Sequence, residues 1–265
     1  MSTYQEPTGA NATARPEVQE LASAGFANGT VYETGRPGYA AEAVAFLVEG
    51  LGVTEGRTVL DLGVGTGKVT RQLVPFGADL VAVEPSAAMR EEFARQLPGV
   101  PVLDGSGEAI PLGDNTLDAV IVAQAFHWFD APRALAEIAR VLRPGGCLGM
   151  IWNERDECET WASRLSEAMH WHERQPYPVG MDFRPIVLGH PAFVEGERRQ
   201  FRFAKQVDHA RLRQRVLSTS YIAAAPQDEQ AGFRAAAEVV IAQLPEPVDL
   251  PYLTDAYVFQ TGGRA

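Results

Sequence analysis

The chain has 265 residues, is 46% hydrophobic, and carries a formal net charge of −11 with a pI near 5.0. A chain of this length can bury a sizeable core, either as one large domain or as a domain with a cap. The acidic balance argues against nucleic acid or an anionic membrane surface as the main partner, and two cysteines indicate neither a disulfide framework nor a metal site with CxxC spacing.

The first segment of the chain is polar. Residues 1–25 are expected to form a flexible leader, because they contain no hydrophobic signal core. No apolar stretch approaches the roughly 20 residues that a membrane-spanning helix requires. Since a reducing compartment is the default for a chain with so few cysteines, we expect a cytoplasmic protein that does not bind membranes.

From about residue 40 the pattern alternates between helices and strands. The first predicted helix has apolar residues at helical spacing and can end at Gly52. Residues 58–63, TVLDLG, are a short continuous apolar run, typical of a strand buried on both faces. A second helix follows and is expected to stop at Pro75 and Gly77.

The alternation continues as far as residue 153. Ser86 can cap the next helix, and a further helix is predicted at 132–142. The other predicted strands are 80–84, 100–105, 117–123 and 147–153. Strands and helices that alternate in this way predict βαβ units, a parallel sheet, and helices on both faces of that sheet.

Beyond Asn153 the pattern changes. Residues 155–173 have one apolar stripe at helical spacing, and residues 193–207 indicate a strand or a hairpin. Residues 208–243 are predicted to be helical, and the stretch LPYLTDAYVFQTG predicts a final strand. We interpret this region as one more contribution to the sheet plus helices that cap the site.

The loop after the first predicted strand is rich in glycine and reads Asp61-Leu-Gly63-Val-Gly65-Thr66-Gly67-Lys68. Glycines let the backbone approach a ligand closely, and the following helix presents free N–H groups. Open parallel sheets bind ligands at the carboxyl ends of their strands, which is where this loop lies. Its GxGxG spacing departs both from the GxGxxG dinucleotide fingerprint and from the GxxxxGK[ST] phosphate loop.

Glu84 ends the second predicted strand, 19 residues after Gly65. A carboxylate at this point can accept hydrogen bonds from both hydroxyls of a ribose. The alternative is an ordinary surface acid at a strand end. Together with the loop, Glu84 predicts a pocket that holds an adenosine-type group by its ribose and without a phosphate grip.

The motifs VLDLGVGTGK, VAVEPS, DGSGEAIPL, DAVIVAQAFHWFD and VLRPGG resemble class I S-adenosylmethionine-dependent methyltransferases. More closely, they resemble the small-molecule group that includes trans-aconitate methyltransferase-like proteins. The resemblance implies a Rossmann-like, doubly wound α/β fold with a seven-stranded sheet, the last strand antiparallel, and helical cap elements. It also implies a single methyltransferase domain over residues 26–265, with a cofactor-binding core at 26–153, cap and substrate elements at 154–243, and a final strand within 244–265.

The resemblance further implies S-adenosylmethionine as the cofactor and S-adenosylhomocysteine as the product. Its methionine part is expected to lie against Asp61, Gly63, Gly65 and Gly67, and its ribose against Glu84. Ser106, Gly107 and Glu108 are placed beside the adenine, although many relatives have an acid where this chain has Ser106. The other cofactor-binding candidates are Tyr32, Thr66, Pro85, Met89 and Gln124; Met89 could equally be a core residue.

The stretch AVIVAQAFHWFD, residues 119–130, places polar side chains directly after a buried strand. Methyl transfer mainly requires that acceptor, methyl and sulfur be aligned and that water be excluded. A general base is needed only if the acceptor keeps its proton until attack. His127 is the candidate base or acceptor-orienting group, or else a structural histidine; Trp128 is expected to wall the pocket, and Gln124 to hold the cofactor or the acceptor.

A second cluster, YETGRPGY, lies before the sheet and contains Tyr32, Arg36 and Tyr39. The resemblance suggests that it folds over the cofactor, and Arg36 and Tyr39 are assigned with His127 to the catalytic group. Arg36 could pair with the cofactor's carboxylate or with an acidic acceptor, or it could form a surface salt bridge.

Candidates for the acceptor pocket are Trp152, Asn153, Trp171, His172 and Tyr221, although aromatic residues at helical spacing are often core residues. No metal site is expected, because His170 and His172 point to different faces of a helix. The sequence thus predicts a methyltransferase that acts on a small-molecule acceptor. The alternatives are a nicotinamide-dependent oxidoreductase and a protein that binds S-adenosylmethionine without methylating.

Overall fold

The computed structural model describes residues 37–174 and 180–262. Within these residues the strands are β1 (Thr58–Leu62), β2 (Asp79–Val83), β3 (Val102–Leu103), β4 (Leu117–Ala123), β5 (Leu142–Arg155), β6 (Phe193–Val207) and β7 (Val248–Thr261). They form one seven-stranded sheet in the order β3-β2-β1-β4-β5-β7-β6. Strands β1 to β5 are parallel to their neighbours in this order, whereas β7 runs antiparallel to both β5 and β6.

Helices connect the strands and cover both faces of the sheet. They are α1 (Ala41–Leu51), α2 (Lys68–Leu73), α3 (Ala87–Gln96), α4 (Ala131–Val141), α5 (Thr160–Ala168), α6 (Trp171–Arg174), α7 (Arg184–Leu188), α8 (His209–Leu217), α9 (Ser220–Ala223) and α10 (Gln227–Ile241). Short 3-10 turns lie at Val74–Phe76 and Phe126–Trp128. This architecture confirms the predicted Rossmann-like α/β sheet with an antiparallel last strand.

The core lies on the two faces of the sheet, because successive side chains of a strand point to opposite sides. Leu60 and Val120 belong to the cluster that packs against α4, whereas Val59 and Ile121 belong to the cluster that packs against α1. All four side chains are at most 1% exposed. The continuous apolar runs that were predicted as buried strands therefore contribute side chains to the clusters on both faces of the sheet.

A third cluster lies beyond the end of the short strands. Pairing between β4 and β5 ends at Ala123 and Ile151, but β5 continues to Arg155 alongside β7. Apolar side chains from α5, α8 and α10 pack with Tyr252 of β7, which pairs with Arg155 at the end of this extension; among them Leu212 is fully buried. We call this group the helical cap. It lies at the carboxyl end of β5.

The local signals act as the sequence predicts. Gly52 ends α1 in the left-handed conformation, with φ of 63°, and the Ser86 hydroxyl accepts a hydrogen bond from the Met89 N–H at 3.5 Å. The second helix ends at Leu73, and Pro75 stands in the 3-10 turn that follows it.

Some element lengths differ from the prediction. β3 has two residues rather than the six of 100–105, and residues 193–207 form one strand rather than a hairpin, because β7 pairs along the whole segment. The predicted leader, residues 1–25, lies outside the described residues. Among the helices of the described part, none is long and apolar enough to cross a membrane.

Candidate active site

The glycine loop after β1 adopts backbone conformations that side chains disfavour. Gly65 has φ of 56°, and open space surrounds the position that a Cβ would occupy there. Gly67 has φ of 85° and precedes α2; a Cβ there would lie 2.8 Å from Leu97 and 2.9 Å from Phe93. The loop therefore combines a packed glycine, Gly67, with a glycine that faces free space, Gly65.

Glu84 follows β2 and binds this loop directly. Its side chain is 7% exposed and accepts hydrogen bonds from the Gly65 N–H at 3.0 Å and the Ser86 N–H at 2.9 Å. Burial raises the pKa of the Glu84 carboxyl, while the two N–H donors act in the opposite direction. The carboxylate is thereby fixed at the mouth of the loop with lone pairs left for a ligand.

Asp61, in β1, is the second acid of the site. It is 3% exposed, and its Oδ2 accepts a hydrogen bond from the Thr70 hydroxyl at 2.5 Å. Its Oδ1 is buried and has no hydrogen-bond partner in the described part of the chain. Burial, and to a lesser extent the charge of Glu84, raise the pKa of Asp61 to about 7, against its usual value of 3.8.

A cleft of about 270 Å³ opens at the carboxyl ends of β1, β2 and β4. Nine of the sequence-derived candidates line it: Tyr39, Gly63, Gly65, Thr66, Glu84, Pro85, Met89, Gln124 and Trp128. Seven lining residues were not predicted as site residues: Val64, Lys68, Val69, Ser86, Ala123, Ala125 and Phe129. Most of these seven residues are direct sequence neighbours of a predicted site residue. That adjacency is the sequence signal that could have identified them.

Gln124 is the first residue after β4 and has a strained backbone. Its φ of 52° is uncommon for a residue with a side chain. Its amide accepts from the Tyr39 hydroxyl at 3.5 Å and donates to the Asn153 carbonyl at 3.1 Å. These bonds tie the wall of the cleft to the extended part of β5.

His127 and Trp128 lie in the 3-10 turn after β4. The two rings are 4.5 Å apart, and the His127 ring is also 5.8 Å from the Trp152 ring. Trp128 lines the cleft, whereas His127 lies behind it and is not among the lining residues. The role assigned to His127 stays a prediction.

The residues predicted to lie beside adenine form a tight turn next to the cleft. Ser106 and Ala109 exchange backbone hydrogen bonds, and Glu108 accepts from the Asp130 N–H at 2.7 Å. A Cβ on Gly107 would lie 2.8 Å from Phe129, which itself lines the cleft. Because Gly107 has no side chain, the Phe129 ring can pack against it and line the cleft. The turn therefore adjoins the cleft through Phe129.

The acceptor candidates divide between the sheet and the helical cap. Trp152 is 2% exposed and packs on Phe183 with ring centroids 4.5 Å apart, so it lies in the core. Asn153 is also buried; its amide donates to the Gly38 carbonyl at 2.8 Å and its Oδ1 accepts from the Thr254 hydroxyl at 2.6 Å.

The other three acceptor candidates belong to the cap and not to the cleft. The Tyr221 hydroxyl donates to the Met169 carbonyl at 2.7 Å, and burial raises its pKa to about 12. Trp171 lies below the guanidinium of Arg155, and His172 is exposed and bonded to Glu157 at 3.0 Å. The structure therefore does not bring these residues into contact with the cleft.

Two candidates, Tyr32 and Arg36, lie outside the described residues, so their assignments remain predictions. Within the described ranges, no group of three or more His, Cys, Asp or Glu side chains could hold a metal ion.

Comparisons with known proteins agree with this geometry. The model of a methyltransferase domain family matches residues 60–150. An uncharacterized methyltransferase of Mycobacterium tuberculosis is 42% identical over 199 residues, which are 74% of this chain and 76% of that protein. A solved structure of a proposed type II methyltransferase from Anaeromyxobacter dehalogenans superposes with a TM-score of 0.60 at 24% identity, covering 86% of this chain and 97% of that one.

A more distant structure shares the fold. Haemonchus contortus phosphoethanolamine N-methyltransferase 2, solved with phosphomonomethylethanolamine and S-adenosylhomocysteine, has a TM-score of 0.51 and 17% identity over 84% of this chain and 52% of that one. The strand order, the glycine loop with its strand-end acid, and the identity to the mycobacterial protein lead to one assignment. The chain belongs to the class I S-adenosylmethionine-dependent methyltransferases.

Proposed function

We propose that this chain binds S-adenosylmethionine in the cleft and transfers its methyl group to a small-molecule acceptor. The observation that carries the proposal is the pairing of the Gly65 loop with Glu84, whose carboxylate is held by two backbone N–H groups at the mouth of the cleft. A carboxylate in this position suits the two hydroxyls of a ribose. Gly65 leaves the space beside it open.

The buried acid Asp61 supports a ligand that carries positive charge. Its Oδ1 is a buried acceptor without a hydrogen-bond partner in the described part of the chain, and its raised pKa shows that its negative charge is poorly compensated there. A cationic ligand above the loop would compensate that charge. Asp61 does not itself line the cleft, but together with Glu84 it makes the surroundings of the loop acidic, which favours an amino-acid nucleoside with a positive sulfur over a phosphate group.

When bound, the cofactor supplies a methyl group that is already activated by a positively charged sulfur. The protein then has to orient the acceptor and keep water out. Tyr39, Gln124 and Trp128 line the cleft, and hydrogen bonds join Gln124 to Tyr39 and to the Asn153 carbonyl of β5. His127, behind Trp128, is the proposed base or orienting group, and it would act only for an acceptor that keeps its proton.

The test is a calorimetric titration of the full-length protein with S-adenosylmethionine, S-adenosylhomocysteine and NADH. We expect both sulfur nucleosides to bind and NADH not to bind. Glu84→Gln should weaken binding by about 10- to 100-fold, because hydrogen bonds to a charged group contribute roughly 1.5–3 kcal/mol. Glu91→Gln, an exposed acid on the neighbouring helix, removes the same charge and should leave binding unchanged.

Equal affinity of wild type and Glu84→Gln would contradict the proposed site, and NADH binding would favour the oxidoreductase alternative. The protein is then incubated with S-adenosylmethionine and a panel of small organic acceptors, and the products are analysed by mass spectrometry. Formation of S-adenosylhomocysteine together with a methylated product would establish the methyl transfer. Release of S-adenosylhomocysteine without a methylated product would favour a protein that uses the cofactor for another purpose.

A further inference from the structure

Gly38 and Tyr39 lie directly before α1, outside any helix or strand, and Tyr39 lines the cleft. Backbone N–H and C=O groups in such a segment have no partner in regular secondary structure, so side chains or water must supply one. Tyr39 is only 8% exposed, which limits the access of water to it. The place of Tyr39 in the cleft wall therefore depends on contacts with other elements.

Gln72 of α2 supplies both backbone partners of Tyr39. Its Oε1 accepts a hydrogen bond from the Tyr39 N–H at 2.9 Å, and its Nε2 donates one to the Tyr39 carbonyl at 2.9 Å. One side-chain amide thus pairs with one residue as a residue of a neighbouring strand would. Gln72 and Tyr39 are 33 residues apart in the chain, so this contact is tertiary rather than local.

Gly38 leaves free the space that the Gln72 amide occupies. A Cβ on Gly38 would lie 3.0 Å from the Gln72 Oε1, which is closer than an ordinary van der Waals contact. The Gly38 carbonyl in turn accepts a hydrogen bond from the Asn153 amide at 2.8 Å. The Gly38-Tyr39 segment is therefore held from two sides, by α2 and by β5.

The side chain of Tyr39 is held as well. Its hydroxyl donates to the Gln124 Oε1 at 3.5 Å, and the Gln124 amide donates to the Asn153 carbonyl at 3.1 Å. Tyr39 and Gln124 line the cleft, whereas Gln72 is not among the lining residues. Gln72 can thus affect a ligand in the cleft only through other residues, and Tyr39 is the lining residue to which its amide is hydrogen-bonded.

We propose that Gln72 is a positioning residue for cofactor binding, which holds Tyr39 at the wall of the cleft. The inference rests on the proposed function and adds to it a residue outside the cleft. A protein binds a ligand with its full affinity only while its binding-competent form is populated. Without the two bonds from Gln72, the Tyr39 backbone needs water as its partner. The wall is then displaced for a larger part of the time, and the apparent affinity falls.

The experiment titrates the full-length protein with S-adenosylhomocysteine by calorimetry and measures the Tm of each variant without ligand. Gln72→Met keeps the length and the helix propensity of the side chain but removes the amide. We expect it to weaken binding by about 5- to 30-fold, the range that corresponds to the loss of two neutral hydrogen bonds. Gly38→Ala disturbs the same contact by placing a Cβ against the Gln72 amide, and it should also weaken binding.

Gln230→Met is the matched control. Gln230 is a half-buried glutamine of α10, and its amide donates to two backbone carbonyls, those of Ala223 at 3.3 Å and Ala225 at 2.9 Å. None of these three residues lines the cleft. The control should therefore lower Tm and leave the affinity for S-adenosylhomocysteine unchanged.

A double-mutant cycle with Tyr39→Leu tests whether Gln72 acts through the Tyr39 side chain. Tyr39→Leu removes the ring and the hydroxyl but keeps the backbone groups to which Gln72 is bonded. If Gln72 positions that side chain, Gln72→Met should weaken binding by less than about 2-fold in the Tyr39→Leu background. Its effect on Tm should be the same in both backgrounds.

Two results would overturn the inference. The first is that neither Gln72→Met nor Gly38→Ala binds more weakly than Gln230→Met. The second is a loss on Gln72→Met that is undiminished in the Tyr39→Leu background, which would mean that Gln72 acts on the glycine loop through α2. If the wild type binds S-adenosylhomocysteine and either result is found, the inference fails and the proposed function stands. If the wild type does not bind the nucleoside, the proposed function itself fails, and the inference fails with it.

Discussion

Asp61 and Glu84 are two buried acids at the glycine loop, and we expect their protonation to influence the binding of a positively charged cofactor. Both carboxyl groups are buried, and burial is the largest cause of the raised pKa of each. With a pKa of about 7, Asp61 exchanges its proton near neutral pH, while a positively charged ligand favours the ionised form. We therefore expect proton release from Asp61 to be linked to cofactor binding.

We expect the affinity for S-adenosylmethionine to fall as the pH is lowered below 7. The measurement is a series of calorimetric titrations between pH 5.5 and 8.5, chosen to bracket the pKa of about 7. Asp61→Asn, which has no proton to exchange, should bind more weakly at pH 8 and with a flatter dependence on pH. A wild-type affinity that is constant across this range would show that Asp61 is not linked to binding.

The same residue predicts how the stability of the ligand-free protein varies with pH. In the unfolded chain Asp61 releases its proton near pH 3.8, whereas in the folded protein it holds the proton up to about pH 7. Between these values the folded state binds more protons, so the contribution of Asp61 to stability falls as the pH rises.

In urea unfolding, the stability of Asp61→Asn relative to wild type should therefore increase as the pH rises from 4 to 8. The difference in unfolding free energy between the two proteins should level off above the folded-state pKa of about 7. A difference of the opposite slope would mean that the folded protein stabilises the ionised carboxylate.

At the scale of elements, the loop between β1 and α2 contains one glycine packed against its neighbours, Gly67, and one that faces open space, Gly65. Gly67→Ala forces a Cβ against Phe93 and Leu97 and should destabilise the protein by about 1–3 kcal/mol. Gly65→Ala meets no neighbour, so its loss of stability should be limited to the backbone strain of about 1–2 kcal/mol, while cofactor affinity falls.

Gly56→Ala is the matched control, since Gly56 has φ of 79°, open surroundings and a place outside the cleft. In thermal unfolding, Gly67→Ala should be the least stable of the three variants. In calorimetry, Gly65→Ala should lose more cofactor affinity than its loss of stability would explain. Unchanged affinity in Gly65→Ala would contradict a ligand that packs against the loop.

The elements that local chemistry encodes could be predicted, and those that depend on distant partners could not. Ser86 and Gly52 act at their own helix ends, so the sequence indicated both positions. The full length of β6 depends on its pairing with β7, which lies some forty residues later in the chain, so strand and hairpin could not be distinguished.

The candidate site divides in the same way. Gly65 and Glu84 belong to motifs, and the cleft residues around them follow from the chain order. Asn153 and Gly38 are 115 residues apart in the chain, and nothing in the sequence near either residue indicates that they meet. Trp152, in contrast, has the residue type of a pocket wall but lies in the core, because its side of β5 is covered by Phe183.

At the scale of the whole molecule, the helical cap and the sheet share their strands. The cap packs on β7, which pairs with β5 and β6 in the sheet, and Leu212 of α8 is fully buried in it. Leu212→Ala should therefore lower the free energy of unfolding by about 2–5 kcal/mol in urea denaturation followed by tryptophan fluorescence.

Gln214→Ala, at an exposed position of the same helix, is the control and should change stability little. If the cap and sheet unfold together, Leu212→Ala shifts a single transition without lowering the cofactor affinity of the folded protein. A separate early transition would show that the cap unfolds independently.

The unbroken course of β5 fixes the side of the sheet on which each of its residues lies. Because neighbouring side chains point to opposite sides, inserting one residue after Ile151 would reverse the sides of Asn153 and Arg155 and break the hydrogen bond between Asn153 and Gly38. Only paired insertions or deletions keep these side chains on their present sides. The length of this strand can therefore change without such a reversal only in increments of about 7 Å.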